Sequence, residues 1–506
     1  MGGLLGDMST TYETFISLVK EANLLASVES LLDWDSETVM PENGLSARAE
    51  QLSMVAALAH QKRTDPRIGE LLGTLEKMTG EELAAANVRE VRRTYDRAVK
   101  IPEELVRRIA RASTLGKDAW GKARASDDFP KFAPHLAELL DLKRQVADLI
   151  GHTGERYDAL LDEFEPGMTT AEVGRIFDSL RKPLADFVKA LAASPKKPDA
   201  AILHRRFPRA AQEKFGRRMA EVIGFDFASG RLDVSKHPFC SGTSPGDVRL
   251  TTRYYEDFFS PSVFGVLHEA GHGLYEQGLP REHMFTPMGQ ATSLGIHESQ
   301  SRLWENFVGR SRAFWERFFP EAREAFAESL GDVSLDAFVS AINTVEPSLI
   351  RVEADEVTYN LHIILRFEME RAMLSGKLAV KDVPEAWNAK MKELLGVTPP
   401  SNREGCLQDI HWSMGAFGYF PTYALGNLYA AQFFEAAGKA IPDLAHRIRR
   451  AEFAPLLDWL RENIHRHGQR YRAADLVQRV TGQPLSIDPF LQYIRGKFAP
   501  IYGIRA

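Results

Sequence analysis

The stretch HEAGH, His268 to His272, sets two histidines four residues apart with a glutamate directly after the first. Residues four apart share one face of a helix, so both imidazoles can approach a single metal ion at about 2.0–2.1 Å. Glu269 lies about 100° further around the helix. That position suits a further ligand poorly, but it reaches a water on the open side of the metal and so suits a general base. The plain alternative is an ordinary helix that happens to hold these residues. Gly271 and Gly273 argue against it, because a glycine inside a helix costs about 1 kcal/mol relative to alanine. Their presence implies that something approaches the helix backbone closely. Val266, Leu267, Ala270 and Leu274 keep the flanks uncharged.

A catalytic zinc takes three protein ligands and leaves one position for water. Downstream candidates for the third ligand are Glu276, Glu282, His283, His297, Glu298 and Glu305. Glu276 lies one turn further along and has to fold back past His272. Glu282 and His283 fall in the turn after Gly278, where exposure is expected. The stretch SLGIHESQSRLWENFVGRSRAFWERFF predicts a second helix, capped by Ser293 and antiparallel to the first. Glu298, Arg302 and Glu305 share a face of it, so Arg302 is placed to orient Glu298, whereas His297 points elsewhere. The spacing favours Glu298 and leaves the others open.

The elements that must carry these residues are mostly helical. Apolar residues recur at three- and four-residue spacing in TTYETFISLVKEANLLASVESLL, SARAEQLSMVAALAHQKR and FAPHLAELLDLKRQVADLIG. Ser260 and Pro261 suit the start of the His-Glu helix, and Gly278 with Pro280 its end. From Arg231 to Tyr255 the helical period is lost and Gly, Ser and Pro enter. Val248 to Tyr255 alternates like a strand, which predicts a small sheet and a place for an extended peptide to pair by its backbone. The expected architecture is one mainly α domain over residues 1–506. About 1–225 is mostly helical, about 226–430 holds the sheet and active-site helices, and about 431–506 forms C-terminal helices.

A net charge of −6 over 506 residues argues against nucleic acid or an anionic membrane as the main partner. The basic clusters HRRFPRAAQEKFGRR and HRHGQRYR read as solvated helix faces. Two cysteines, Cys240 and Cys406, fit a reducing compartment. The amino terminus has no basic segment followed by an apolar core, and the residues ahead of Met8 read as preceding an alternative start. No apolar run reaches the roughly 20 residues of a membrane span. The expectation is a soluble cytoplasmic protein.

Several motifs together resemble the carboxypeptidase Taq family of zinc metallocarboxypeptidases. They are DWDSETVMP (Asp33 to Pro41), HPF (His237 to Phe239), DVRLTT (Asp247 to Thr252), HEAGH, HESQ (His297 to Gln300), IRVEAD (Ile350 to Asp355) and GCLQDIHW (Gly405 to Trp412). The resemblance implies zinc, or cobalt, held by His268, His272 and Glu298, with Glu269 as general base. It further implies a helical fold with a deep central groove, similar to neurolysin and angiotensin-converting enzyme, and a homodimer. The implied activity is release of single amino acids from peptides with a free carboxyl terminus, at broad specificity.

An enzyme acting at a free carboxylate needs a fork such as arginine provides. Arg351 is the candidate. From spacing alone an ion pair to Asp355 is favoured, and the IRVEAD motif reverses that. His411 and Tyr423 resemble the pair that stabilises the oxyanion in relatives of angiotensin-converting enzyme, with Tyr419 as the substitute. His237 is expected to line the substrate groove. Three other readings compete: an endo-oligopeptidase or dipeptidyl carboxypeptidase on the same scaffold, an inactive binding protein, and a di-iron helical protein built on Glu269-x-x-His272 and Glu462-x-x-His465.

Overall fold

Amphipathic repeats become helices wherever an apolar face finds something to cover it, and almost every predicted helical stretch does so here. The computed structural model describes residues 2–77 and 82–505, residues 2–9 without their side chains, so the segment ahead of Met8 lies outside the described side chains. Contacts group the chain into two compact units. The first comprises residues 1–99, 200–342 and 433–484, the second 100–199, 343–432 and 485–506.

In the first unit, the helices Gly2–Thr38, Pro66–Leu75 and Glu82–Lys100 bury Phe15, Leu18, Val19, Ile68, Leu72, Val88 and Val91 against one another. Each such side chain contributes about 1.5–3 kcal/mol when fully buried. A three-stranded sheet follows: β1 (Gly230–Val234), β2 (Cys240–Ser244) and β3 (Asp247–Thr252), in the spatial order β1-β3-β2. β1 runs parallel to β3 with Arg231 opposite Arg249, and β2 runs antiparallel to β3 with Cys240 opposite Leu250. Both guanidinium groups lie over the Trp34 ring, at 4.9 and 4.2 Å, which fixes the DWD segment of the first helix on the sheet.

The His-Glu helix spans Ser260–Gly278. It packs on β2, β3, the helix Arg209–Val222 and the helix Leu294–Arg302. Its first turn stands on interlocked aromatic rings, Phe259 against Phe207, Trp315, Phe326 and Phe338. A helix so founded cannot shift without unpacking those rings.

Several expectations need correction. The strand predicted to reach Tyr255 ends at Thr252, and Tyr255 instead forms an isolated bridge to Phe258. β3 is the central strand, so its backbone groups are taken on both sides and no peptide can add to it; only β1 and β2 have an edge. Ser260 is not the cap: Phe259 holds that position with helical backbone angles and no side-chain bond. The long second helix is broken into Leu294–Arg302, a π-helical stretch Leu303–Gly309 and Arg312–Ala325. In HRHGQRYR, His465 is buried, its Nε2 2.9 Å from Gln300 Oε1, so that segment is not simply a solvated face.

In the second unit, Glu103–Ser126 packs on Phe129–Ile150, and Tyr359–Leu374 lies against Val383–Leu395 and Thr170–Ala193. Thr170–Ala193 begins with a capping box of Thr169 and Glu172. Tyr359–Leu374 is buried nearly all round and carries Arg366 and Glu370 fully buried. Charges placed so deep must have partners.

Candidate metal centre

Gly271 meets the backbone of the next helix. A Cβ there would lie 2.7 Å from Gln300 O and 2.7 Å from Ser301 Cα. On another side, a Cβ at Gly273 would lie 2.6 Å from the Phe225 ring and 2.9 Å from Leu250. The two glycines thus admit a close helix–helix approach and the sheet. Ser293 caps the second helix, its side chain accepting from Ile296 N–H. That approach presents Glu298 to the histidines.

Glu298 Oε2 lies 3.6 Å from His268 Nε2 and 3.4 Å from His272 Nε2. The three potential ligand atoms fall within 4.8 Å of one another. A tetrahedral site with bonds of about 2.0–2.2 Å has edges of roughly 3.3–3.6 Å, so one ion of zinc-like size fits among them. The donor chemistry agrees. The other carboxylate oxygen, Oε1, accepts from Arg302 Nε at 2.6 Å. Both imidazoles bond through Nδ1, leaving Nε2 turned to Glu298. His268 Nδ1 lies 2.9 Å from Glu305 Oε2, and His272 Nδ1 lies 2.6 Å from His297 Nδ1. Ligand histidines characteristically have such partners.

Electrostatics prepares two of the three groups, His272 and Glu298, for the same state. Burial, with the neighbouring His297 and His268, lowers His272 to about 3, so its ring is neutral. Burial would lower His268 as well, but Glu298 and Glu305 outweigh it and raise its pKa. Burial works against ionisation of Glu298, yet Arg302 and the two histidines hold it well below the carboxylate range. Glu305 sits in the π-helical stretch, where Arg302 Nη1 reaches it at 3.2 Å and Arg310 Nη2 at 3.4 Å. Such stretches occur often at functional sites.

Glu269 stands apart from this network. It is 6% exposed, and among the described residues its carboxylate finds no hydrogen-bond partner. Burial first, then Glu298 and Glu305, push it up to about 7. A buried carboxylate with no hydrogen-bond partner, beside the ligand set, is placed to take a proton from water. Cys240 is a free thiol in β2, its pKa raised by burial and then by Glu269 and Glu276.

The remaining candidates divide by position. His237 is exposed between β1 and β2, its carbonyl accepting from Ser235 Oγ at 2.7 Å. Arg351, His411, Tyr419 and Tyr423 lie in the second unit. Arg351 does not pair with Asp355, which instead accepts from Val357 and Thr358 N–H. It pairs with Asp409 Oδ1 through Nε at 3.0 Å and Nη2 at 2.9 Å, and donates to Tyr359 Oη at 2.8 Å. Arg366 Nε donates to Asp409 Oδ2 at 2.6 Å. Two buried guanidinium groups therefore share one carboxylate, leaving an excess positive charge that an anion would balance. His411 Nε2 is 3.2 Å from Tyr423 Oη, and Tyr419 packs against both rings. Burial and then Arg351 lower His411 to about 3, so it is neutral.

Sequence reasoning named neither Asp409, Arg366 nor Glu370. Glu370 accepts from Tyr157 Oη, Trp412 Nε1 and Gly418 N, at 2.7, 2.9 and 3.0 Å, and so holds both ends of the segment after His411. Asp409 was within reach, standing two residues before His411 in GCLQDIHW. Arg366 and Glu370, four apart, look like a surface ion pair. The di-iron arrangement is absent: Glu462 is exposed and paired with Arg466, and His465 is bound to Gln300. Among the described residues the one metal-sized cluster is His268, His272 and Glu298.

The sequence profile of carboxypeptidase Taq (M32) metallopeptidases matches residues 14–498. Thermostable carboxypeptidase 1 of Thermus thermophilus is 50% identical over 97% of this chain and 99% of its own. Carboxypeptidase 1 of Bacillus subtilis is 38% identical over 97% and 99%. The crystal structure of the M32 carboxypeptidase of Deinococcus radiodurans superposes with a TM-score of 0.95 at 41% identity, covering 98% of this chain and 100% of that one.

Proposed function

This chain belongs to the carboxypeptidase Taq (M32) metallopeptidase family, and on that premise we propose that it is a zinc-dependent metallocarboxypeptidase releasing single amino acids from peptide carboxyl termini with broad specificity. The observation that carries the reading is the unpartnered, buried Glu269 beside a ligand set of two imidazoles and one carboxylate. His268, His272 and Glu298 would hold the ion, with zinc favoured by the donor set and cobalt an alternative. Bound there, the ion supplies Lewis acidity for the attacking water and the scissile carbonyl.

The chain's own groups do the rest. Glu269 takes the proton of the attacking water and passes it to the leaving amine. In the second unit, His411 or Tyr423, with Tyr419 the substitute, donates to the developing oxyanion. Arg351 receives the terminal carboxylate through guanidinium N–H groups not used by Asp409 and Tyr359. His237 is proposed as a substrate contact.

The free thiols are compatible with a cytoplasmic setting, and among the described residues no helix is long and apolar enough to cross a membrane. A homodimer is supported by exposed apolar side chains on neighbouring helices, Leu24 and Val28 on one, Met54 and Leu58 on the other. Sedimentation at micromolar concentration checks it, a monomer being the contrary result.

The test of function is removal and restoration of metal. Protein stripped by a chelator is expected to lose peptide hydrolysis and to regain it with one equivalent of zinc or cobalt. Full activity in metal-free protein refutes the reading.

A further inference from the structure

Glu276 competes in the sequence for the place of third ligand, and the structure gives it a different partner. Its Oε1 lies 2.7 Å from His297 Nε2, and His297 Nδ1 lies 2.6 Å from His272 Nδ1. His297 thus stands between Glu276 and His272. We propose that His297 and Glu276 form a positioning relay that fixes the tautomer and orientation of His272 toward the metal; the proposal rests on the metal reading above.

The direction of every bond in the relay follows from one premise. If His272 offers the Nε2 lone pair to an ion, its one N–H is at Nδ1. That N–H must donate, so His297 Nδ1 must accept. His297 then carries its own N–H at Nε2, and that N–H donates to the Glu276 carboxylate. With Glu276 as an ionised acceptor, no other arrangement of neutral rings satisfies both short contacts.

The two ligand histidines are supported by different means. His268 donates directly to Glu305, but that carboxylate also accepts from Arg302 and Arg310, so its negative charge is shared. His272 reaches its carboxylate only through His297, yet among the described residues no arginine or lysine pairs with Glu276. A distant uncompensated carboxylate and a near compensated one are two ways of polarising an imidazole. Packing holds the relay in line. The His297 ring lies against His272 and Tyr275, with centroids 4.6 and 5.1 Å apart. Gly242 of β2 leaves room for the glutamate: a Cβ there would lie 2.8 Å from Glu276 Oε2. Beyond Glu276 is a cavity of about 240 Å³ bordered by Asn23, Ser27, Ser30 and Gln290, which keeps one side of the carboxylate near water.

The relay is tested by measuring zinc dissociation constants, by chelator competition, for the full-length protein and a set of variants. Glu276→Met is expected to weaken zinc binding about 10–100-fold, the range for losing such an outer partner. Glu276→Gln keeps an oxygen for His297 and is expected to stay within about tenfold of the parent. His297→Asn places an oxygen where Nδ1 was but cannot reach Glu276. In that background Glu276→Met is therefore expected to add no further loss. The visible spectrum of the cobalt form should shift in Glu276→Met and His297→Asn alike.

Additive losses in the double variant, or a Glu276→Met protein that binds zinc as the parent does, overturn the relay while leaving the metal site standing. Parent protein that binds no zinc, in the same way as His268→Ala, overturns the site and the relay together.

Discussion

Arg302 Nε donates to Glu298 Oε1 at 2.6 Å, which turns Glu298 Oε2 toward His268 and His272. One guanidinium thereby sets the carboxylate orientation and, through Glu305, also steadies the partner of His268. Arg302→Met is expected to lower zinc affinity about 10–100-fold. Arg302→Lys should restore little of it, because an ammonium lacks the fork that reaches both carboxylates. Chelator competition reads both.

Glu269→Gln keeps the shape and removes the base. The metal content should be unchanged and kcat should fall about 10²–10⁴-fold. Metal analysis alongside peptide turnover checks the pair, and a variant that keeps its metal yet turns over normally removes Glu269 from the mechanism.

Arg351→Ala is expected to raise KM for peptides with a free carboxyl terminus while leaving the slow turnover of amidated peptides unchanged. An equal loss on both would return Arg351 to a purely structural role with Asp409 and Tyr359.

Asp409 gives a pH-dependent prediction. Burial opposes its ionisation, but Arg351 and Arg366 outweigh that and hold its pKa below 3.8 in the folded protein. The folded value is the lower one, so the contribution to stability is present above the unfolded value and is lost as pH falls below it. Asp409→Asn leaves two buried guanidinium groups short of charge and should cost about 3–5 kcal/mol at pH 7. The gap between parent and variant in denaturant midpoint should narrow as pH is taken below about 3.8. A constant gap contradicts the assignment.

Gly271→Ala forces a methyl against the backbone of Gln300 and Ser301. We expect about 1–3 kcal/mol of destabilisation and weaker zinc binding, because the displaced helix carries Glu298. Gly246→Ala, at a position with space around it, serves as the control.

How much of this could be read in the residues depends on whether the cause was local. HEAGH was legible because helical spacing alone aligns His268 with His272, and the two glycines foretold a close neighbour. The third ligand was less so. Glu276 and Glu298 are both within reach along the chain, and only the packing at Gly271 decides which of them faces the histidines. The place of β3 was misread because strand order is a tertiary property: β1 pairs with it from beyond β2, and nothing within Val248 to Tyr255 carries that information. Arg351 and Asp409 stand 58 positions apart, so the local Asp355 looked the better partner. The buried helix around Arg366 and Glu370 misleads for a related reason, since each charge finds its partner on a distant segment rather than four residues away.

Release of single residues from a free carboxyl terminus is read by mass spectrometry of the products that the zinc-loaded protein forms from one peptide, supplied with a free and with an amidated carboxyl terminus. A ladder of single-residue losses is expected from the free form and almost none from the amidated form. Internal fragments, released dipeptides, or equal cleavage of both forms would contradict it.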